Sequence, residues 1–410
     1  MANKDMYIES LHVENVGPFN RLDVRFNPKM NVIIGANGIG KTSLLRCITY
    51  CLTNSHMENI RFRKDAVLKM NCRKIDGGIT YGADKLVNVD QDYRKINVTN
   101  WGLTPAEGYD RNMIDQEKDY NLFAIGAYRY FSYRQMDGMK REIVKKERRQ
   151  WELSNNPNYL ESMAMPDIKQ WMINRYFQID KDWAVTERSN WDTVMSNLQV
   201  IAPRESEFQF VKIERDLEPV FKLNGSECYL EELSSGFKSI LSIVFMIVDW
   251  IEGINVGEDA KTENAVGTVL IDEIDAHLHP SWQATILDSI RKLFPHIQFI
   301  VTTHSPNIIM SAKAGEVIVF NNQDGNVNLK PDERVFGAWQ FNDILSDIMQ
   351  APGLDRISIV QQMSAISQAY DEKDVDKFES ILNELFGILN PNDTLLKIYR
   401  LKLGELKLNV

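Results

Sequence analysis

The chain has 410 residues, 44% hydrophobic and 25% charged, which suits a soluble globular protein of two or three domains or one large α/β unit with insertions. A formal net charge of -10 excludes a surface coated in positive charge for non-specific nucleic-acid binding, though not a local basic groove. The charged N-terminal decapeptide lacks the apolar core of a signal peptide, and the apolar run from Ile240 to Val248 is too short to span a bilayer, so a cytoplasmic protein without a membrane span is expected.

From Tyr7 to Phe26, alternating apolar residues on either side of Gly17-Pro18 predict a β-hairpin. Phe19 in its turn reads as a packed residue or as a platform for adenine. Met30 to Ile34 then form a β-branched run suited to a buried strand. Gly35 to Thr42, GANGIGKT, fits the phosphate-loop pattern G-x-x-x-x-G-K-[ST] without a gap, and Ser43 to Ile48 continue as helix. Its glycines let successive backbone N–H groups point inward at a phosphate, where the helix N-terminus adds partial positive charge. Lys41 would reach the β- and γ-phosphates, and Thr42 would offer its hydroxyl to Mg²⁺. The candidate ATP-binding set in this stretch is Gly35, Asn37, Gly38, Gly40, Lys41, Thr42 and Ser43. Cys47 and Cys51, one helical turn apart, read as packing thiols before a metal pair.

Between Cys51 and Thr104, short β-like pieces such as Lys95 to Thr99 predict antiparallel strands flanking the nucleotide. The basic bias of Arg61, Arg63, Lys64, Lys69, Arg73 and Lys74 reads as solvated surface. Leu122 to Ala127 is the next core strand, followed by Tyr128, Arg129, Tyr130, Phe131 and Tyr133, where Arg129 is a candidate nucleotide sensor. Residues 134 to 201 hold six basic side chains within Lys140 to Arg149 and four of the eight tryptophans, at Trp151, Trp171, Trp183 and Trp191. Helical spacing of Ile168, Trp171, Met172 and Tyr176 predicts an amphipathic helical insertion standing off the sheet. Its basic start is read as a solvated face or, alternatively, a surface for nucleic acid or a partner.

Phe208 to Ile213 resumes the core, and Asn224-Gly225 marks a hairpin between Val220–Leu223 and Cys228–Leu230. Ser234-Ser235-Gly236 precedes an apolar helix as an N-cap and potential anion site. Thr268 to Ile271 is a buried strand ending in Asp272-Glu273, two carboxylates placed to hold a magnesium shell and to polarise a water. A helix is expected from Ser281 to Phe294. Gln298 to Thr303 is another buried strand, ending at His304, which is placed to donate to a γ-phosphate; Val317 to Phe320 is expected as the last core strand. Helices follow at Phe341–Met349, Ile357–Ala369, Val375–Leu389 and Thr394–Leu403. An apolar stripe of Val375, Phe378, Ile381, Leu382 and Leu385 reads as packing or as a docking face.

The ordered set GANGIGKT, LSSGFKS, TVLIDEIDAHLHP and VTTHSP, with NVGPF in the hairpin, resembles the ABC-type ATPases of the SMC and RecF branch over roughly residues 5–50 and 205–320. The resemblance implies an α/β ABC-type P-loop NTPase head with an antiparallel β subdomain, a helical insertion and a helical C-terminal tail. The corresponding divisions are 1–133, 134–204, 205–330 and 331–410. It implies ATP and Mg²⁺ as cofactors, with Thr42 and Asp272 on the metal, Glu273 as catalytic base, His304 as switch histidine and Lys41 at the phosphates. It also implies a head-to-tail homodimer in which Ser234, Ser235 and Gly236 of one subunit close on the other's ATP, and Asp275 lies in the dimer-contact loop.

Phe237 departs from the SMC pattern, the insertion is too short for long coiled coils, and only Gln135 stands near the expected place of the magnesium-loop glutamine. The sequence is closer to compact ATPases of Septu-type and retron-associated phage-defence systems. That likeness implies an ATP-hydrolysing switch that controls a separate effector such as a nuclease, or acts on nucleic acid, without a membrane. A RecF-like DNA-repair ATPase is one rival. An overcoming-lysogenization-type nuclease is another, and it would need an acidic metal site such as Asp374 and Asp376 after the core.

Overall fold

The computed structural model describes residues 6–53, 59–74, 80–90, 95–99, 103–105, 120–129, 132–143, 145–163, 166–203, 206–321, 325–339, 343–344, 348, 356–388 and 394–408. Its contacts divide the chain into two compact units, Met1–Gln350 and Ala351–Val410.

Among the described residues, the first unit is built on three sheets. The predicted hairpin forms as β1 (Met6–Val16) and β2 (Phe19–Arg25), with β4 (Phe62–Lys74), β5 (Thr80–Asp90), β6 (Lys95–Thr99) and β7 (Leu103–Pro105) extending the antiparallel sheet. Along β4, Ala66, Leu68, Met70 and Cys72 are buried while Lys69 and Arg73 lie on the outer face of the alternating strand; Lys64 is exposed as well, whereas Arg63 is half-buried and donates to Asn20 in the hairpin. A parallel sheet carries the fully buried strands β3 (Met30–Ile34), β12 (Gly267–Ile271) and β13 (Ile297–Thr303), in the order β14-β3-β13-β12-β8. Here β8 is Leu122–Ile125 and β14 is Val317–Val319. Burial on both faces explains why these strands read as continuous apolar runs. The third sheet is β11-β10-β9, from Phe208–Ile213 (β9), Pro219–Leu223 (β10) and Ser226–Tyr229 (β11). Asn224 and Gly225 both take positive φ, 50° and 86°, as a two-residue hairpin requires.

The described residues add a strand after Val317–Val319, and two expectations need correction. Val317–Val319 is the last strand of the parallel core sheet, as expected, and β15 (Asn326–Leu329) follows it to pair in parallel with β2 in the hairpin's sheet. Short and half polar, β15 has too little apolar patterning to be read ahead. The helix expected from Ser281 to Phe294 is two, α7 (Pro280–Gln283) and α8 (Ile286–Leu293).

The second correction concerns the insertion, which does not stand off the sheet. It comprises α2 (Lys145–Leu160), α3 (Ile168–Gln178), α4 (Val185–Ser196) and α5 (Leu198–Ile201). Helix α2 packs on β8, on α1 (Lys41–Leu52) and on the 20-residue α6 (Ser235–Ile254). Trp171 and Trp191 are buried in the main core, whereas Trp151 and Trp183 are exposed. Part of the basic start is structural as well. Arg148 pairs with Glu152 and Asp249, and Arg149 donates to the carbonyl of Ile254.

A buried carboxylate ties the insertion to α6. Glu252 accepts from Arg175 Nε at 2.5 Å, Trp171 Nε1 at 3.0 Å and Asn190 Nδ2 at 3.0 Å. Helical periodicity alone could not reveal this arrangement.

Among the described residues, the second unit contains three helices, Arg356–Asp371, Val375–Ile388 and Thr394–Leu408. Phe378, Leu382 and Leu385 of the apolar stripe are buried within it, against Ile366, Leu396 and Tyr399. The stripe is therefore an internal core instead of an open docking face. Asp374 accepts from the backbone N–H of Lys377 as an N-cap, which accounts for that aspartate structurally. The helix expected at Phe341–Met349 lies largely outside the described residues.

Arg175→Met would leave the Glu252 carboxylate buried without its cation, a loss of about 3–5 kcal/mol. Burial already raises the pKa of Glu252 above the usual carboxylate value. The loss should therefore shrink as pH falls through that raised pKa, where the folded state takes up the proton. Urea unfolding followed by tryptophan fluorescence at several pH values measures both effects.

Candidate functional site

Strands β3, β13, β12 and β8 are neighbours in one parallel sheet, so the loops leaving their carboxyl ends meet along one edge. These are residues 35–40, 304–305, 272–279 and 126–129. The phosphate-loop stretch curls through Gly38 and Gly40, with φ of 73° and 115°, a region that glycine enters without strain. Gly35 is required for another reason: a Cβ there would lie 2.5 Å from the carbonyl oxygen of Phe320. Gly40 caps α1 with no side-chain cap bond, so helix geometry leaves the first-turn N–H groups, those of Lys41, Thr42 and Ser43, facing out of the helix end. Asn37 is exposed in the loop.

Lys41 is buried, and its Nζ donates to the carbonyls of Gly35 at 2.8 Å and Ala36 at 3.0 Å. Burial pulls its pKa down to about 8, although Asp272, Glu273 and Asp275 oppose the shift. Thr42 Oγ1 donates to Asp272 Oδ2 at 2.8 Å, and the other oxygen, Oδ1, accepts from Thr302 Oγ1 at 2.6 Å. A hydroxyl and a carboxylate brought together in this way are the hard oxygen donors that Mg²⁺ takes. Among the described residues no three His, Cys, Asp or Glu side chains form a metal cluster, so phosphate oxygens and water would have to complete its shell.

Glu273 takes φ 47°, uncommon for a residue with a Cβ, and its side chain is exposed. Two neighbours hold its backbone: the N–H donates to Thr302 Oγ1 at 2.8 Å, and the carbonyl accepts from Arg129 Nη2 at 2.6 Å. Asp275 Oδ1 accepts from Thr303 Oγ1 at 2.6 Å and from the His304 N–H at 3.3 Å. Burial and the nearby Lys41 charge lower the pKa of His304, which is therefore neutral at pH 7.

Ser234 caps α6 without a side-chain cap bond, and Ser234 and Ser235 are both exposed. Among the described residues no hydrogen bond joins Ser234, Ser235 or Gly236 to the phosphate loop of the same chain. Gly236 sits against Trp282, whose Cζ3 would be 2.4 Å from an added Cβ. Phe237 packs edge-on to Trp282 at 4.8 Å and lies 4.6 Å from Phe208, so its departure from the SMC pattern fills a core position.

The fold decides between several readings that the sequence leaves open. Phe19 is fully buried, stacked on Phe320 and lying under Gly40, so it cannot receive adenine. Arg129 is fully buried as well, with its donors on Ser239 and on the carbonyls of Gly126, Asp272 and Glu273; it is no direct nucleotide sensor. Cys47 and Cys51 are buried packing thiols. Gln135 is exposed, Tyr128 and Tyr133 are exposed, and Tyr130 and Phe131 lie outside the described residues. Thr302 and Thr303, which bond Asp272 and Asp275, read in the sequence only as strand residues, although they stand immediately before His304 in VTTHSP.

The AAA ATPase domain family model matches residues 6–162 and 127–309. The chain is 25% identical over 415 aligned positions to the Septu protein PtuA of Bacillus thuringiensis, with 98% of each chain covered. It is 37% identical over 135 residues to the "Retron Vc95 probable ATPase" of Vibrio cholerae serotype O1 biovar El Tor, covering 32% of this chain and 26% of that one. Among solved structures, it is similar to the Smc head domain with an extended coiled coil bound to the C-terminal domain of ScpA derived from Pyrococcus furiosus. That likeness has a TM-score of 0.47 and 17% identity, covering 84% of this chain and 99% of the other.

A phosphate arriving beside Lys41 should raise that depressed pKa and draw in a proton. ATP binding at pH 8.5 should accordingly take up a fraction of a proton, visible as a buffer-dependent heat in calorimetry. The uptake should fade below pH 7, where Lys41 is already charged, and be absent in Lys41→Met.

Proposed function

Because the chain belongs to the AAA ATPase domain family, we propose that it is an ATP-binding and ATP-hydrolysing dimeric switch that controls a separate effector in antiviral defence. The observation that carries the ATPase reading is the 2.8 Å bond from Thr42 to Asp272, with the exposed Glu273 carboxylate on the next residue. It joins the phosphate-loop helix to the end of β12.

In this reading the glycine curl and the N-terminus of α1 receive the phosphates, and Lys41 leaves its carbonyl partners to meet the outer ones. Thr42 and Asp272 would hold Mg²⁺, which supplies charge neutralisation at the phosphate oxygens when bound. Glu273 orients and deprotonates the attacking water. His304, neutral and beside Lys41, donates a hydrogen bond to the γ-phosphate.

The Ser234-Ser235-Gly236 turn, with both serines exposed and no bond to its own phosphate loop, is what a second subunit's nucleotide would meet in a head-to-tail dimer. Asp275 then lies in the contact loop, fixed by Thr303. The defence role rests on the likeness to the Septu protein along nearly the whole of both chains, together with the retron ATPase. The effector, such as a nuclease, would respond to ATP-driven closure.

Two experiments test these assignments. Glu273→Gln should keep ATP binding, accumulate the ATP-bound dimer and lower turnover by about 10²-fold or more, as loss of a general base does; unchanged turnover removes Glu273 from the mechanism. Lys41→Ala and Ser234→Arg should each be inactive alone, while their mixture recovers part of the activity through hybrid dimers with one intact composite site. Normal hydrolysis by Ser234→Arg alone would show that no second subunit reads that turn.

A further inference from the structure

We propose that Arg129, with Ser239 as its relay, is a positioning residue that transmits engagement of the Ser234-Ser235-Gly236 turn to the carboxylate of Glu273. The inference rests on the ATPase reading above and adds a route between two of its parts. Arg129 is 2% exposed and Ser239 is 0% exposed, so neither touches a ligand. What they touch is one another and the backbone around the two acidic residues.

Arg129 Nε donates to Ser239 Oγ at 3.1 Å, and that hydroxyl donates onward to the carbonyl of Ala276 at 3.1 Å. The guanidinium also donates to the carbonyls of Gly126 at 2.9 Å, Asp272 at 2.9 Å and Glu273 at 2.6 Å. A buried arginine usually faces a carboxylate. Here a planar fork of donors instead fixes peptide groups, including the one that follows Glu273 in its left-handed conformation. That backbone is the part of the loop with most to gain from external support.

Ser239 lies on α6, whose N-terminal turn begins at Ser234 and Ser235. The same helix end meets the 272–279 loop a second time, where Gly236 approaches Trp282 and the carbonyl of His277. A small displacement of the α6 N-terminus by a ligand therefore moves Ser239 against Arg129, and with it the peptide groups of Asp272 and Glu273. Burial holds the arginine's pKa down to about 10, which still leaves it charged at neutral pH, with Asp272, Asp275 and Glu273 nearby.

The test uses the full chain and separates chemistry from folding. Ser239→Ala removes one hydroxyl. It should leave ATP affinity, ATP-dependent dimerisation and melting temperature near wild type, while lowering kcat by between about 10- and 100-fold, the scale of a slightly misplaced catalytic group. Arg129→Lys, which keeps the charge but loses the fork, should also lower kcat without changing ATP affinity. The double variant should be no slower than the worse single, because both changes break one route. A purely structural role would instead lower the melting temperature and leave kcat per folded molecule unchanged, which overturns the proposal, as would independent, multiplying effects of the two substitutions. If Arg129→Lys fails to fold, Ser239→Ala decides the question. Absence of hydrolysis by the wild type overturns the ATPase reading and this inference with it, whereas wild-type hydrolysis with an unaltered Ser239→Ala overturns the inference alone.

Discussion

One hydroxyl, that of Thr302, holds the acidic end of β12 in place. It donates to the Asp272 carboxylate and accepts from the Glu273 N–H, so a single group on β13 fixes a side chain and the adjacent backbone. Asp272 in turn receives Thr42, which ties the end of β12 to the start of α1. These bonds exist because β13 runs between β3 and β12, bringing a threonine within reach of an acid. The strand order therefore determines the electrostatics: Lys41, Asp272, Glu273 and His304 are mutual neighbours only because three parallel strands end level.

The parts of this arrangement legible in the sequence were those whose physics is local. A glycine-rich turn between a β-branched strand and a helix, two carboxylates at a strand end and Asn-Gly in a hairpin each carry their geometry in consecutive residues. What stayed hidden depends on partners far along the chain. Phe19 is lost to a ligand because Phe320 covers it, and Arg129 because Ser239 and the Asp272 carbonyl surround it. The insertion looked detached because its helices are amphipathic, yet the apolar stripe faces α6, and Glu252 supplies the buried charge that Arg175 needs. Helical spacing states that a face is covered without naming what covers it.

Phe237 and Gly236 show how a local departure from a family pattern can be absorbed. The glycine leaves room for the Trp282 ring, and the phenylalanine closes the gap between that ring and Phe208. Trp282 also donates its indole N–H to the carbonyl of Ile201, at the end of the insertion. One aromatic side chain on α7 thus joins the first turn of α6 to the last insertion helix.

The position of β3 has a consequence for synthesis. Asn31 on this strand donates to the carbonyl of Phe299, 268 positions later, and both neighbours of β3 come from the far half of the unit. At ribosomal speeds of about 5–20 residues per second, roughly 15 to 50 s separate the emergence of this β-branched strand from that of its partners. Throughout that interval its edges are unpaired, so nascent chains are open to capture by chaperones and by one another before any nucleotide site exists.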